Sequence, residues 1–248
     1  MLYLRSIVFN IYFVVTTLGV LVVYLPTLWW EGAHKFRGSR AWDCVLRIGM
    51  RYILGITIQV EGVEHLPPPP YIVACKHQSA WETIALGGIF PGIIFVIKKE
   101  LMRIPLLNIY FKKQQVLVVD RARGTAALQK MTEDAQAHIA RKNCIVIFPE
   151  GTRTAVGEKR PYKAGIARLY QKLGVPVVPV AHNAGVLWSR RSMVKYPGCI
   201  TVRILPPIQP GLDKQKMLLR LQDVIETTTD ELVEKNSIGR VQHAQKTT

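Results

Sequence analysis

Five short runs of this 248-residue chain carry no charged side chain: Tyr71–Cys75, Ile93–Ile97, Val116–Val119, Cys144–Phe148 and Val175–Val180. A strand with one wet face alternates apolar and polar residues; a strand apolar throughout has no wet face and must be covered on both sides. Ile56–Val60 and Ile200–Leu205 read as two further strands. Between the runs lie helical patterns. Glu82–Gly87 starts a helix, and Thr125–Lys142 carries the stripe Leu128, Met131, Ala135 and Ile139. Ala164–Leu173 is closed by Gly174, and Lys214–Glu234 forms a C-terminal helix. Strands alternating with helices imply an α/β body with a mixed, largely parallel sheet flanked by helices. The prolines of Val175-Pro176-Val177-Val178-Pro179-Val180 argue against a fully paired central position and for an edge or a bulge.

Ahead of this body, Ile7 to Trp30 holds no charge over 24 residues, long enough to cross a bilayer core of about 30 Å at about 1.5 Å per residue. The run is too long for a signal peptide and no small-x-small cleavage site follows it. Trp29-Trp30 suits the membrane–water interface, and Lys35, Arg37, Arg40, Arg47 and Arg51 place the body on the cytoplasmic side of an inner membrane. Whether the segment spans the bilayer or bends back at Pro26 is left open. Trp42, Val45, Leu46, Gly49, Tyr52 and Ile53 share a helical face that fits either an interfacial helix or a core helix. Pro67–Pro70 is an extended spacer at the entry to the body. The chain thus divides into a membrane-associated helical segment (1–55), an α/β domain (56–236) and a polar tail (237–248). Of the net charge of +16, residues 1–30 contribute only Arg5, so the body is strongly basic and suited to anions: nucleic acid, anionic lipid or a phosphorylated substrate. The four cysteines form no CxxC pair, which argues against structural zinc and a disulfide framework.

Chemistry gathers where the strands end. His77-Gln78-Ser79-Ala80-Trp81-Glu82 follows the run Tyr71–Cys75. On one ideal helix five positions turn about 500°, so the two side chains would diverge by about 140°. They meet only if His77 sits in the turn and Glu82 on the helix, with Ser79 and Glu82 as a capping box. A base with its orienting carboxylate and a plain helix cap both satisfy that pattern. Phe148-Pro149-Glu150-Gly151-Thr152-Arg153 also follows a strand; Gly151 permits a tight turn and Arg153 offers a planar fork for phosphate. Lys159, Arg160 and Lys163 follow. An anion pocket and a solvated loop with a local Glu150–Arg153 pair are equally compatible. Lys98-Lys99-Glu100-Leu101, with Ile104-Pro105 after it, and Asp120-Arg121 repeat the theme, as phosphate contacts or as solvated faces. His182 competes with His77 as a base, with no carboxylate close after it.

Taken in order, the His-x-x-x-x-carboxylate turn, the Lys-x-x-Leu stretch, Glu-Gly-x-Arg and the Val-Pro-Val-Val-Pro run resemble the glycerolipid acyltransferase family, over roughly residues 56–210, and within it the bacterial branch acting on lysophosphatidic acid. The resemblance implies an acyltransferase domain at 56–236. His77 would be the general base and Glu82 its orienter, where the family usually has aspartate. Lys76 stands where the family often has asparagine. Glu150, Gly151, Thr152 and Arg153 match the phosphate-binding motif, and Lys98 and Leu101 the second motif, where Asn108 replaces a usual glycine. The implied partners are lysophosphatidic acid, membrane lipid and an acyl thioester of coenzyme A or acyl carrier protein; neither metal, cofactor nor nucleic acid is implied. Backbone N–H groups at the start of the Ser79 helix are candidate oxyanion donors. Two alternatives remain: an acyltransferase for another lysophospholipid or lipid hydroxyl, and a non-catalytic, membrane-anchored anion-binding protein.

Overall fold

The structure is a computed structural model that describes residues 1–29, 37–90, 92–120, 122 and 124–245. Trp30, Lys35, Arg121 and residues 246–248 of the expected tail lie outside the described residues.

The apolar runs form one seven-stranded sheet. Its strands are β1 (Ile56–Glu61), β2 (Ile72–Cys75), β3 (Ile93–Lys98), β4 (Leu117–Val119), β5 (Cys144–Ile147), β6 (Val177–His182) and β7 (Gly198–Ile204). Their order is β1-β7-β6-β2-β5-β3-β4, and every neighbouring pair is parallel except β6 with β7. The mixed, largely parallel α/β fold is therefore as expected. The helices are α1 (Leu2–Val23), α2 (Arg37–Gly49), α3 (Glu82–Ile89), α4 (Leu107–Gln114), α5 (Gly124–Ala140), α6 (Ala164–Leu173), α7 (Ala184–Leu187) and α8 (Lys214–Gln245). The backbone of α8 continues past Glu234, where the sequence pattern ended.

Strand β2 shows why these runs carry no polar residue. Its residues alternate between two cores: Val73 and Cys75 join Trp81, Phe90 and Phe9 on one side, while Ile72 and Ala74 join Met131, Ile166 and Met217 on the other. All four are fully buried. Removing each Val or Ile side chain from water stabilises the fold by about 1.5–3 kcal/mol.

Strand β6 is central, so the edge position expected from Pro179 is not what forms; the bulge is. Val180 to His182 pair with Val202 to Ile204, whereas Val177 bridges Ile208. Residues 178–179 thus face 205–207, with one extra residue on the facing side. Pro179 sits at this break and still accepts the Leu205 N–H through its carbonyl at 2.9 Å. A missing N–H costs little where the ladder is already interrupted.

Helix α1 is the one described helix long and apolar enough to cross a membrane, with mean hydropathy 2.2. It is docked along one edge. Phe9 is fully buried against Trp188 with ring centroids 5.4 Å apart, and Tyr12 donates its hydroxyl to the Val45 carbonyl at 2.7 Å. Ile11, Val15, Leu18 and Val22 remain exposed. Helix α2 and the π-helical turn Met50–Leu54 supply Leu46, Met50 and Leu54 to the core, while Ile48 and Tyr52 face outward. The helical stretch through Leu54 is thus a core helix on its inner face, and the chain enters β1 at Ile56.

Candidate active site

Parallel strands in register end at a common edge. Val177, Ile72, Ile145 and Ile94 form one row across β6, β2, β5 and β3. Five residues beyond that row, each chain reaches His182, His77, Glu150 and Lys99 in turn. The carboxyl ends of parallel strands are where α/β sheets collect ligands.

His77 lies in the turn after β2, and Glu82 opens α3. Glu82 Oε1 is 2.8 Å from His77 Nδ1 and accepts the backbone N–H groups of Gln78 and Ser79, both at 2.7 Å. The Trp81 N–H goes to Ser79 Oγ at 3.2 Å. One carboxylate thus gathers the N–H groups of the turn and holds the imidazole, but the expected capping box does not form: α3 starts at Glu82 with Trp81 as its N-cap and no side-chain cap bond, and the Ser79 hydroxyl takes the Trp81 N–H instead. The same bonds take up the Gln78, Ser79 and Trp81 N–H groups, three of those that the start of the helix offered as oxyanion donors. Glu82 is fully buried. Burial alone would raise its pKa, but the bond from His77, the neighbouring imidazoles and the bond from Ser79 outweigh it and hold the carboxyl below its usual range. An ionised Glu82 accepts only, so Nδ1 of His77 carries the proton and Nε2 presents a lone pair. The His77 ring stacks on Phe148, with centroids 4.0 Å apart and planes 16° from parallel.

Glu150 does not pair with Arg153. It is buried beneath the turn, with Oε1 2.6 Å from Lys76 Nζ and Oε2 accepting the His77 N–H at 2.8 Å. Thr154 completes the join: its N–H donates to the His77 carbonyl at 2.8 Å and its hydroxyl to Glu150 Oε1 at 3.1 Å. Burial is the largest influence on Glu150 and raises its pKa, although Lys76 and the His77 N–H oppose it. Gly151, with φ +70°, makes the turn that carries Thr152 and Arg153 outward. Arg153 is exposed, and among the described residues no carboxylate pairs with its guanidinium. Arg190 donates to its carbonyl. Of the other cations here, Lys159 pairs with Asp230 at 2.7 Å and Arg160 with Glu158 at 2.6 Å.

Lys98 is the last residue of β3 and Leu101 lies just past it; both are exposed, two strands from His77 and so roughly 10 Å away across the sheet. His182 is no rival base. It is fully buried, its Nε2 lies 2.8 Å from the Lys76 carbonyl, and its Nδ1 accepts the Ala184 N–H at 3.2 Å. Burial lowers its pKa and keeps it neutral. Sequence reasoning missed Phe148, Thr154, Tyr162 and Glu226. Phe148 and Thr154 flank the Glu-Gly-x-Arg motif and were findable; Glu226, distant in sequence, gave no signal.

An apolar cavity of about 120 Å³ lies among α1, α2, α3, β3 and α4, lined in part by Val20, Leu21, Trp42, Ile84, Phe95 and Phe111. Its wall begins at Thr83, next to Glu82. Among the described residues no three His, Cys, Asp or Glu side chains gather as a metal site would need.

Comparison with known proteins shows the family. Residues 57–183 match the family model described as Acyltransferase. The chain is 33% identical over 181 residues to the 1-acyl-sn-glycerol-3-phosphate acyltransferase of Pseudomonas aeruginosa, covering 73% of this chain and 70% of that protein. It is 34% identical over 173 residues to the enzyme of the same name from Saccharomyces cerevisiae, covering 68% of this chain and 57% of the yeast protein. The crystal structure of the 1-acyl-sn-glycerophosphate (LPA) acyltransferase PlsC from Thermotoga maritima superposes with a TM-score of 0.73 at 22% identity, over 94% of this chain and 98% of that one, and shows the same fold.

Proposed function

Because this chain belongs to the acyltransferase family, we propose that it transfers a fatty acyl group from a thioester to the free hydroxyl of lysophosphatidic acid, giving phosphatidic acid. One observation carries the mechanism: His77 Nδ1 is fixed by Glu82 at 2.8 Å on the carboxyl edge of the sheet, which leaves Nε2 as the base. The thioester is already activated, so no protein nucleophile is needed. His77 Nε2 takes the acceptor proton as its oxygen attacks the carbonyl carbon. Glu82 stabilises the imidazolium so formed. The tetrahedral intermediate collapses, the C–S bond breaks, and the imidazolium returns the proton to the leaving thiolate. Base catalysis of this kind contributes about 10²–10⁴-fold.

Arg153 binds the acceptor's phosphate. It is an exposed guanidinium that no carboxylate among the described residues pairs with, one residue from Thr154, whose N–H holds the His77 carbonyl. Lys98 adds positive charge further along the edge, and Leu101, Gly151 and Thr152 shape the same rim. Glu150 acts from beneath by holding the His77 and Thr154 backbones. The apolar cavity beside Thr83 takes an acyl tail. Helix α1, with its outward apolar side, lies in the membrane with the body on the cytoplasmic side, and the reaction needs neither metal nor cofactor.

The test is an assay of the purified protein in detergent or vesicles, with lysophosphatidic acid and, in separate arms, acyl-coenzyme A and acyl carrier protein thioester. Phosphatidic acid formation is expected in at least one arm. Turnover only with a lysophospholipid of another head group would overturn the acceptor assignment.

A further inference from the structure

Lys76 is a large cation held almost wholly out of water, directly before the residue read as the base. Its ammonium lies 2.7 and 2.8 Å from the two oxygens of Glu226 on α8, and 2.6 Å from Glu150 Oε1. Glu226 is itself buried and also accepts the Tyr162 hydroxyl at 3.1 Å. One turn later on α8, Asp230 pairs with Lys159, on the loop that follows Arg153. The Lys76 carbonyl is bound in turn by His182. The catalytic turn is therefore tied to the C-terminal helix through one buried ammonium and two buried carboxylates.

We propose that Glu226 is a positioning residue for His77, acting through Lys76, and that Lys76 and Glu226 work as one unit; the inference rests on the reading of His77 as base. An ammonium in this place demands compensation, because an unpaired buried charge is far costlier than a neutral side chain. Glu150 alone cannot supply it: its second oxygen is committed to the His77 N–H. Glu226 provides two more acceptor contacts, leaving Glu150 to hold the backbone that carries the imidazole. Removing Lys76 alone would leave Glu150 and Glu226 facing each other beneath the turn, and Glu150 is the group that holds the His77 backbone N–H. Removing both charges together relieves that repulsion.

The experiment measures kcat and both KM values for the full-length protein carrying Lys76→Asn, and Lys76→Asn with Glu226→Gln. Lys76→Asn is expected to lower kcat by roughly 10–100-fold with each KM held within about twofold, since a misplaced base costs turnover rather than binding. The double variant is expected to recover most of the lost kcat. A double variant no better than Lys76→Asn, or Lys76→Asn with wild-type turnover, overturns the proposal. Should Lys76→Asn fail to fold, Glu226→Asp and Glu226→Gln take its place. Aspartate, which keeps the charge, is expected to retain more kcat than glutamine; equal or reversed values overturn the proposal. His77→Ala is assayed beside them. If it retains turnover, the base assignment fails on its own; if it is inactive while the Lys76 and Glu226 variants turn over normally, only the present inference fails.

Discussion

Thr154 donates its backbone N–H to the carbonyl oxygen of His77 across 2.8 Å, and its hydroxyl bridges the same carbonyl at 3.2 Å and Glu150 Oε1 at 3.1 Å. This join places the loop bearing Arg153 beside the turn bearing His77. The two stretches are 77 residues apart in sequence, and β2 and β5 bring them together as neighbouring strands. Thr154→Val keeps the shape but removes the hydroxyl, leaving buried acceptors short of a donor. The expected cost is about 1–3 kcal/mol of stability, read by chemical denaturation in detergent. An unchanged midpoint would mean the hydroxyl bonds are not needed.

Glu82 separates charge from reach. Glu82→Asp keeps the charge with a shorter arm and should retain part of the activity. Glu82→Gln should lose roughly 10²–10⁴-fold in kcat, because the imidazole loses its orienting charge. Equal activity of the two variants would reduce Glu82 to a helix cap.

The same carboxylate gives a pH signature. Its pKa in the folded protein lies below the usual value, so the unfolded chain takes up a proton first as pH falls. Its stabilising contribution is therefore complete above the ordinary carboxylate pKa of about 4.3 and disappears as pH drops through the lower, folded value. The stability gap between wild type and Glu82→Gln should be widest near neutral pH and narrow on acidification below that value. A gap independent of pH would contradict an ionised Glu82.

Arg153→Ala should raise KM for lysophosphatidic acid by about 10–100-fold, the worth of a charge-assisted hydrogen bond, and raise KM for the thioester far less. Steady-state kinetics with each substrate varied in turn checks this. Equal changes in both constants would argue against a phosphate contact.

Helix α1 is bound into the protein as well as apolar outside. Phe9 is fully buried between α1 and Trp188, so Phe9→Ala should cost about 3–5 kcal/mol. Thermal unfolding in detergent measures it. A variant as stable as wild type would show that α1 is a detachable anchor.

Five of the seven strands were legible because a buried parallel sheet leaves a plain mark: runs such as Cys144–Ile147 and Ile72–Cys75 have two apolar faces, whereas β1 and β7 carry polar residues and show only as short β-branched stretches. The pairing of His77 with Glu82 was also legible, since their spacing excludes a single helix and leaves His77 in the turn; the helix cap was read too early, at Ser79, whereas α3 has Trp81 as its N-cap and starts at Glu82. The short helices α4 and α7 were not. Tyr110 and Leu187 are held by tertiary contacts, and segments so short have no periodicity to read. Glu226 was invisible for another reason. Its neighbours Thr227, Thr228, Thr229 and Asp230 make α8 look like a solvated face there, and only the folded sheet brings Lys76 to it. Pro179 misled in part, because the sequence cannot show that the facing strand bulges at that residue.

The central claim is that His77 is the base. Its most direct test is the rate of phosphatidic acid formation by His77→Ala, at saturating lysophosphatidic acid and thioester, with folding verified by circular dichroism. The account predicts a kcat lower by at least about 10²-fold with the fold intact. Turnover at the wild-type rate would contradict it.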